Sequence, residues 1–188
     1  MAIARIKTTD DFVACPFTIA TDGREKARYT FDGMTSDSKD GHRRIVVPIV
    51  WAHLKTGDYT IDGLVDQVAV ERKSLADLFG TLGAHRDRFE LEHQRLATYP
   101  RGQACVVIEA SWEDILNRPP CHSQLHPKTV LRTAVSWQAR YGVPWITTAD
   151  RRLAEIWTFR FLEKVWQQHQ HQHRMQHGNQ ESKESQGK

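Results

Sequence analysis

Two hydrophobic periods alternate along the chain. Short, mainly apolar runs predict strands at residues 16–23, 45–54 and 103–110, and the third run is nearly continuous, as in a central strand covered on both faces. Pro48 lies inside the second run, which predicts that this strand is at a sheet edge or contains a bulge. The segments YTIDGL, QVAVERK and VPWITT predict further strands.

Helices are predicted between these strands. From Ser74 onward, apolar residues recur at positions i, i+3, i+4 and i+7, which indicates a helix with one buried face. Further helices are predicted at residues 86–98, after an N-cap at Ser111, at 128–141 and at 150–166. Strands that alternate with helices predict an α/β fold in which helices flank a mixed central sheet.

Composition divides the chain into three segments. Residues 1–15 are predicted to be an N-terminal extension, and residues 16–166 have the size of one ordinary domain. Residues 167–188 are rich in Gln and His and almost lack apolar residues, so we expect a frayed helix end and a disordered tail. The tail histidines could bind a transition metal, but a polar tail is favoured because alternating Gln residues build no fixed tetrahedral site.

The composition is that of a globular protein without a membrane span. Of the 188 residues, 39% are hydrophobic and 26% are charged, and no apolar run approaches the length that crosses a bilayer. The first residues contain no apolar signal-peptide core, so we expect a cytoplasmic, nucleoid-associated protein. Cys15, Cys105 and Cys121 form no CxxC pair, which argues against a disulfide framework or a zinc knuckle. The net charge of +3 is compatible with a polyanionic partner without requiring one.

Three charged residues, Glu71, Arg72 and Lys73, stand where a predicted strand meets a predicted helix. Alternate residues of a strand face the same side, so Glu71 and Lys73 project together and Arg72 points the other way. Asp58 lies at the turn before the preceding strand and can face the same pocket in a hairpin. Carboxylates are ligands for Mg²⁺ or Mn²⁺, and a neighbouring lysine can orient a nucleophile, so this set suits phosphodiester hydrolysis.

A structural explanation exists for the same residues. Ser74 followed three residues later by Asp77 matches a capping box, so Asp77 could serve only the first turn of the helix. Glu71 and Lys73 could likewise be a solvated strand end. For an isolated Glu-x-Lys the structural explanation would be favoured, and it is the surrounding residues that change this judgement.

Those surrounding residues resemble the XPF-type (ERCC4 domain) nuclease family. The family pattern is a Gly-Asp pair, a variable spacer, Glu-Arg-Lys, three residues and an Asp. In this chain the elements are Gly57-Asp58, Glu71-Arg72-Lys73 and Asp77. The upstream segment TDGREKARYTF, which begins one residue before Asp22, is similar to the family's Asp-x-Arg-Glu segment, although Arg28 stands where the family often has proline. The last predicted helices and strand resemble compact prokaryotic or phage members without a helix-hairpin-helix module.

The resemblance implies a restriction-endonuclease-like, PD-(D/E)XK core and an Mg²⁺- or Mn²⁺-dependent DNA endonuclease. Its substrate would be branched or otherwise non-duplex DNA in repair or recombination. The implied metal ligands are Asp22, Asp58, Glu71 and Asp77, and the implied catalytic set is Asp58, Glu71, Asp77 and the catalytic lysine Lys73. The candidate DNA contacts are Arg86, Arg88 and Arg72, although strand alternation favours ion pairs that brace the site for Arg72.

A non-catalytic DNA-binding or scaffolding subunit of a nuclease complex is the alternative function. The family includes partners whose nuclease site has degenerated, but these lose the acidic residues that this chain has kept. A homodimer or a partner subunit is also expected, because relatives dimerise and the last predicted helix is rich in aromatic residues. Glu109, at the end of the central strand, could join the acidic set, but we favour a structural role for it.

Overall fold

The computed structural model of the chain describes residues 12–37 and 43–186, with side chains described as far as residue 176. Its strands are β1 (Phe12–Ala14), β2 (Ile19–Asp22), β3 (Arg44–Val46), β4 (Ile49–Ala52), β5 (Tyr59–Ile61), β6 (Ala69–Lys73), β7 (Ala104–Ile108) and β8 (Trp145–Thr147). Its helices are α1 (Leu75–Ala84), α2 (Arg86–Leu96), α3 (Trp112–Asn117), α4 (Pro127–Tyr141) and α5 (Arg151–Gln186). The predicted α/β fold is confirmed. None of these helices is both long and apolar enough to cross a lipid bilayer.

The main sheet has six strands in the order β4-β2-β5-β6-β7-β8. Strand β5 is antiparallel to both of its neighbours, whereas the other pairs are parallel, so the sheet is mixed as predicted. The ends of β2 and β6 and the start of β5 therefore meet at one edge of the sheet. This edge brings Asp22, Asp58 and Glu71 together from distant parts of the chain.

The predicted strand at 45–54 is divided at Pro48. Its first part, β3, pairs with β1 in a separate two-stranded sheet, and its second part, β4, is the edge strand of the main sheet. Proline has no N–H to donate to a ladder, which explains the break, but the Pro48 carbonyl still accepts a 2.9 Å hydrogen bond from the Ile19 amide.

Each face of the main sheet is covered by helices. Helix α5 packs on one face with Tyr59, Val70 and Phe159 in the core, while α1, α2 and α4 cover the other face around Phe79 and Phe89. Strand β7 is buried along its whole length, which confirms the prediction of a central strand.

The structure differs from the sequence-based expectation at the C-terminal end. Residues 167–186, for which a frayed helix end and a disordered tail are predicted, are helical throughout and continue α5. Side chains 171–176 are exposed, so this part of the helix packs against no core. Gln, Glu, Lys and Arg have high helix propensity, and a packed preceding segment removes the cost of nucleation, so the helix can continue without burying apolar surface.

An ionic network ties β6, β7 and α5 together beneath the sheet edge. Arg72 donates from Nε and Nη2 to the two carboxylate oxygens of Glu109 at 2.7 and 2.6 Å, and its Nη1 lies 3.5 Å from Glu25 Oε1. Arg151 also donates to Glu109, at 2.8 Å, and reaches the carbonyl oxygens of Ala27 and Arg28. Arg72 is 5% exposed at its side chain and Glu109 is 7% exposed, so their pairing is screened little by solvent.

A buried histidine links α2 to β8. Trp145 Nε1–H donates to His93 Nε2 at 2.8 Å, and His93 Nδ1 lies 3.1 Å from the Phe89 carbonyl oxygen. Because a carbonyl oxygen only accepts, His93 Nδ1 carries a proton. Nε2 accepts from Trp145 and therefore carries none, so the ring is neutral. Burial lowers the pKa of His93 to about 4, with the charge of Lys73 acting in the same direction and the Phe89 hydrogen bond opposing it.

The pKa shift of His93 predicts a loss of stability in mild acid. The unfolded chain takes up a proton near pH 6.5 and the folded chain only near pH 4, so the contribution is complete above pH 6.5 and lost as the pH falls toward 4. The loss amounts to about 3 kcal/mol. His93→Gln, which keeps an acceptor for Trp145 but does not titrate, should flatten this part of the pH profile of urea unfolding. His122→Gln at an exposed position is the control, and an equal profile for His93→Gln and the wild type would contradict the assignment.

The Arg72–Glu109 pair predicts strong energetic coupling. Removal of either partner leaves the other buried charge poorly compensated, so Arg72→Met and Glu109→Gln should each lower the free energy of unfolding by about 3 kcal/mol. The double variant should be less destabilised than the sum of the single variants, by about 2 kcal/mol. In the control pair Arg118–Asp114, where Arg118 is 74% exposed, the coupling should stay below about 1 kcal/mol. The coupling energies of the two residue pairs are measured by urea unfolding of the single and double variants. Equal coupling energies for Arg72–Glu109 and Arg118–Asp114 would contradict this prediction.

Candidate active site

A cleft of about 580 Å³ opens at the sheet edge where β2 and β6 end and β5 begins. Its walls come from these strands, from the segment after β2, and from α1 and α2. The predicted metal and catalytic residues all line this cleft: Asp22, Asp58, Glu71, Lys73 and Asp77. The fold therefore brings the predicted set together, while the role of each residue stays a prediction.

The strand pair β5–β6 forms the floor of the cleft. Gly57 has φ +78°, and a Cβ at this position would lie 3.2 Å from the Val70 carbonyl oxygen, so only glycine allows the chain to turn this close to β6. The Asp58 amide donates to that same Val70 oxygen at 2.8 Å, and the Arg72 amide donates to Asp58 Oδ2 at 2.8 Å. These bonds fix the Asp58 carboxylate beside β6.

Glu71 and Lys73 lie on the cleft side of β6, and Lys73 Nζ donates directly to Glu71 Oε1. The ammonium group also stands 4.7 Å above the Phe89 ring. Burial opposes the charged form of Lys73, but the carboxylate of Glu71 outweighs it and raises the pKa of Lys73. Lys73 is therefore an ammonium group at neutral pH. It supplies positive charge and does not act as a proton acceptor.

The carboxyl groups of Asp58 and Glu71 are held in an environment that disfavours their ionised forms. Burial raises the pKa of Asp58 well above its usual range, and the charge of Glu71 adds to the rise. Burial also raises the pKa of Glu71, with Lys73 opposing the rise and Glu92 adding to it. A bound cation would offset the cost of ionising these buried carboxyl groups.

The donor set of Asp58 and Glu71 suits a small hard cation. In the part of the chain that the structure describes, no group of three or more His, Cys, Asp or Glu side chains is arranged around a common metal position. Mg²⁺, however, is usually held by one or two carboxylates and several waters, so a pair of carboxylates in an open cleft is sufficient. Asp58 and Glu71 are therefore the best-placed residues for a divalent cation.

Asp22 is less available than the sequence predicts. Its carboxylate accepts hydrogen bonds from the Arg24 amide, Nε and Nη2 at 2.7, 2.9 and 2.7 Å, and from the Leu54 amide at 3.1 Å. Burial favours the neutral acid, but the Arg24 and Leu54 bonds prevail and lower the pKa of Asp22. Arg24 would have to release Asp22 before Asp22 could bind a cation. The Arg24 side chain is 64% exposed, so it has room to swing toward solvent.

Asp77 combines the two explanations that the sequence leaves open. Its amide donates to Ser74 Oγ at 3.1 Å, which makes Ser74 the N-cap of α1, and the Ser74 hydroxyl donates to Asp77 Oδ2 at 2.6 Å. The same carboxylate lines the cleft. Capping the helix and lining the cleft are therefore compatible for Asp77, and its role as a metal ligand stays a prediction.

The predicted DNA contacts occupy three different environments. Arg86 Nη1 donates to Thr133 Oγ1 at 2.7 Å and its guanidinium stands 5.1 Å from the Trp137 ring, so Arg86 joins α2 to α4 and does not line the cleft. Arg88 lines the cleft. Arg72 also contributes to the lining of the cleft, but its guanidinium is bound to Glu109 in the network beneath the site, a position that suits a brace.

Several cleft residues were missed by the sequence reasoning. Glu92 lines the cleft from α2 and raises the pKa of Glu71. Lys26, Lys55 and Arg95 add positive charge to the walls. Glu92 follows Phe89 by three positions, so helical periodicity places the two on one face of α2. That face could be read from the sequence, but its packing over β6 is a long-range contact that no local pattern contains.

The chain matches the ERCC4 domain over residues 28–161, a span that contains Asp58, Glu71, Lys73 and Asp77 but not Asp22. No curated protein sequence shows significant similarity to the chain.

Two solved structures share the fold. XPF from Aeropyrum pernix is 20% identical, with a TM-score of 0.55, and the match covers 77% of this chain and 64% of that one. XPF from Aeropyrum pernix in complex with DNA is 20% identical, with a TM-score of 0.50 and coverages of 79% and 62%. The chain thus matches less than two thirds of the length of either structure. The likeness confirms the restriction-endonuclease-like core, and the match over residues 28–161 establishes that the chain belongs to the ERCC4 domain family.

Proposed function

We propose that the chain is a DNA endonuclease that hydrolyses phosphodiester bonds and depends on Mg²⁺ or Mn²⁺. The observation that carries this proposal is the convergence of Asp58, Glu71 and Lys73 at one end of the buried strand pair β5–β6. Membership of the ERCC4 domain family supports it. The likeness to an XPF structure in complex with DNA supports DNA as the substrate.

The acidic residues of the cleft and Lys73 have proposed roles that follow from their positions. Asp58 and Glu71 would hold the cation, with Asp77 and, after release of Arg24, Asp22 as further ligands. A divalent ion held there would supply Lewis-acid chemistry, since it would make water a better nucleophile and offset charge on the phosphate. Lys73, kept protonated by Glu71, would orient the attacking water and stabilise negative charge as it develops on phosphate oxygens.

The walls of the cleft suit the DNA backbone. Lys26, Lys55, Arg88 and Arg95 line the cleft around the acidic floor. Phosphate contacts of this kind position a strand without reading its sequence, so we expect selection by DNA shape. We therefore propose branched or otherwise non-duplex DNA, as handled in repair or recombination, as the substrate class, and a homodimer or partner subunit as the working assembly.

The alternative, a non-catalytic DNA-binding or scaffolding subunit, has less support. A scaffold has no use for carboxylates whose burial opposes their own ionisation, and Asp58 and Glu71 are both of this kind. Metal-independent DNA binding without cleavage of any substrate would favour that alternative.

Substitution of the floor residues should abolish cleavage. Asp58→Asn removes a carboxylate ligand and Lys73→Ala removes the ammonium group, so each should slow Mg²⁺-dependent cleavage by a factor on the order of 10³. The measurement is the cleavage rate on labelled flap, fork, nicked, single-stranded and duplex DNA, with Mg²⁺ or Mn²⁺ and with a chelator.

Matched controls separate chemistry from folding. Asp66→Asn and Lys164→Ala make the same chemical changes at exposed positions outside the cleft and should cleave at the wild-type rate. Cleavage that survives Asp58→Asn and Lys73→Ala at the control rate would refute the assignment of the site.

A further inference from the structure

Histidines recur in the C-terminal part of α5. His169, His171 and His173 alternate with glutamine, a spacing that builds no fixed metal site in an extended chain. The structure makes this segment helical, and the helix determines which of the three can meet. His169 and His173 are four residues apart and share one face of α5, which places their Cβ atoms about 5–6 Å apart. Residues two positions apart do not face each other, so His171 lies on another face.

His169 lies against the folded domain. It is half-buried and lines a cavity of about 330 Å³ together with residues that include Phe17, Asp62 and Trp166. This cavity lies where β2 begins and β5 ends, whereas the catalytic cleft lies at the opposite ends of the same two strands. A ligand of His169 would therefore be bound apart from the cleft.

One ring nitrogen of His169 is left without a partner. Its Nδ1 is buried and forms no hydrogen bond in the part of the chain that the structure describes. Most buried polar atoms are paired, so an unpaired imidazole nitrogen at a cavity points to a partner from outside the chain. No hydrogen bond through Nδ1 would have to break if the ring turned toward a ligand.

We propose that His169 and His173 bind a divalent transition-metal cation of the class of Zn²⁺, Ni²⁺ or Cu²⁺. Imidazole is a good ligand for these ions, and two histidines four residues apart on a helix chelate Zn²⁺ in other proteins. Two imidazoles leave coordination positions for water. Asp62 lines the same cavity as His169, and its negative charge favours a cation. Mg²⁺ prefers oxygen ligands, so this pair does not compete for that ion.

A cation held by both rings would fasten the C-terminal part of α5. His169 lies against the domain, whereas His173 is exposed one turn further along the helix. Coordination by both would close the helical turn at which α5 leaves the domain. Because only the helical form brings the two rings together, cation binding stabilises that form over a frayed one.

Zn²⁺ binding to the full chain tests the site, in a His177→Gln background and with excess Mg²⁺. The background removes a histidine that also stands four residues from His173 in the sequence, and Mg²⁺ competes for carboxylate sites. His169→Gln and His173→Gln should each lower the affinity in isothermal titration calorimetry by a factor of about 10 or more, since loss of a residue that only orients a ligand already costs that much. His171→Gln makes the same change on another face and should keep the affinity.

Several results would overturn the site. Equal losses in all three single variants would mean binding by an unstructured histidine tract, and unchanged affinity in His169→Gln or no Zn²⁺ binding at all would exclude the pair. Electron paramagnetic resonance of the Cu²⁺ form should show two nitrogen ligands, and one after His169→Gln. Circular dichroism verifies that the variants keep their helix content. Neither binding measurement involves DNA, so the outcome is independent of the proposed nuclease function.

Discussion

Strand β6 carries three consecutive charged residues, Glu71, Arg72 and Lys73, into the middle of a sheet that is covered on both faces. Ionised groups in such a position destabilise the fold unless they are paired. Successive strand residues face opposite sides, so Arg72 needs partners on one face and the Glu71–Lys73 pair needs them on the other. The sheet order meets both demands, because it places Glu109 at the end of β7 and Asp58 at the start of β5 at the same edge.

The two faces of β6 are nevertheless not equivalent. On the α5 face, Arg72 is matched by Glu109 and Glu25, and this arrangement holds the strand end in place. On the cleft face, the pKa values of Asp58 and Glu71 are raised although Lys73 is adjacent. The charges on the first face are neutralised from within the chain, whereas burial disfavours ionisation of the carboxyl groups on the second face. That asymmetry is the physical reason for proposing a structural role for Arg72 and a chemical role for Glu71 and Lys73.

Local patterns in the sequence predict much of this arrangement. The change of hydrophobic period at Ser74 locates the start of α1, and strand alternation separates Arg72 from Glu71 and Lys73. Features that depend on distant contacts escape such patterns: the packing of Glu92 over β6 comes from the docking of α2. The continuation of α5 to Gln186 was missed for another reason, since absence of a core does not prevent a helix from extending.

The central claim is that Asp58 and Glu71 hold a divalent cation, and Mn²⁺ binding followed by isothermal titration calorimetry tests it most directly. Cation binding to carboxyl groups with raised pKa values displaces protons, so the wild type should bind Mn²⁺ with proton release and with an affinity that rises with pH. Asp58→Asn and Glu71→Gln should each lose this binding, whereas Asp66→Asn should retain it. Equal Mn²⁺ affinity in the wild type and both cleft variants would contradict the account.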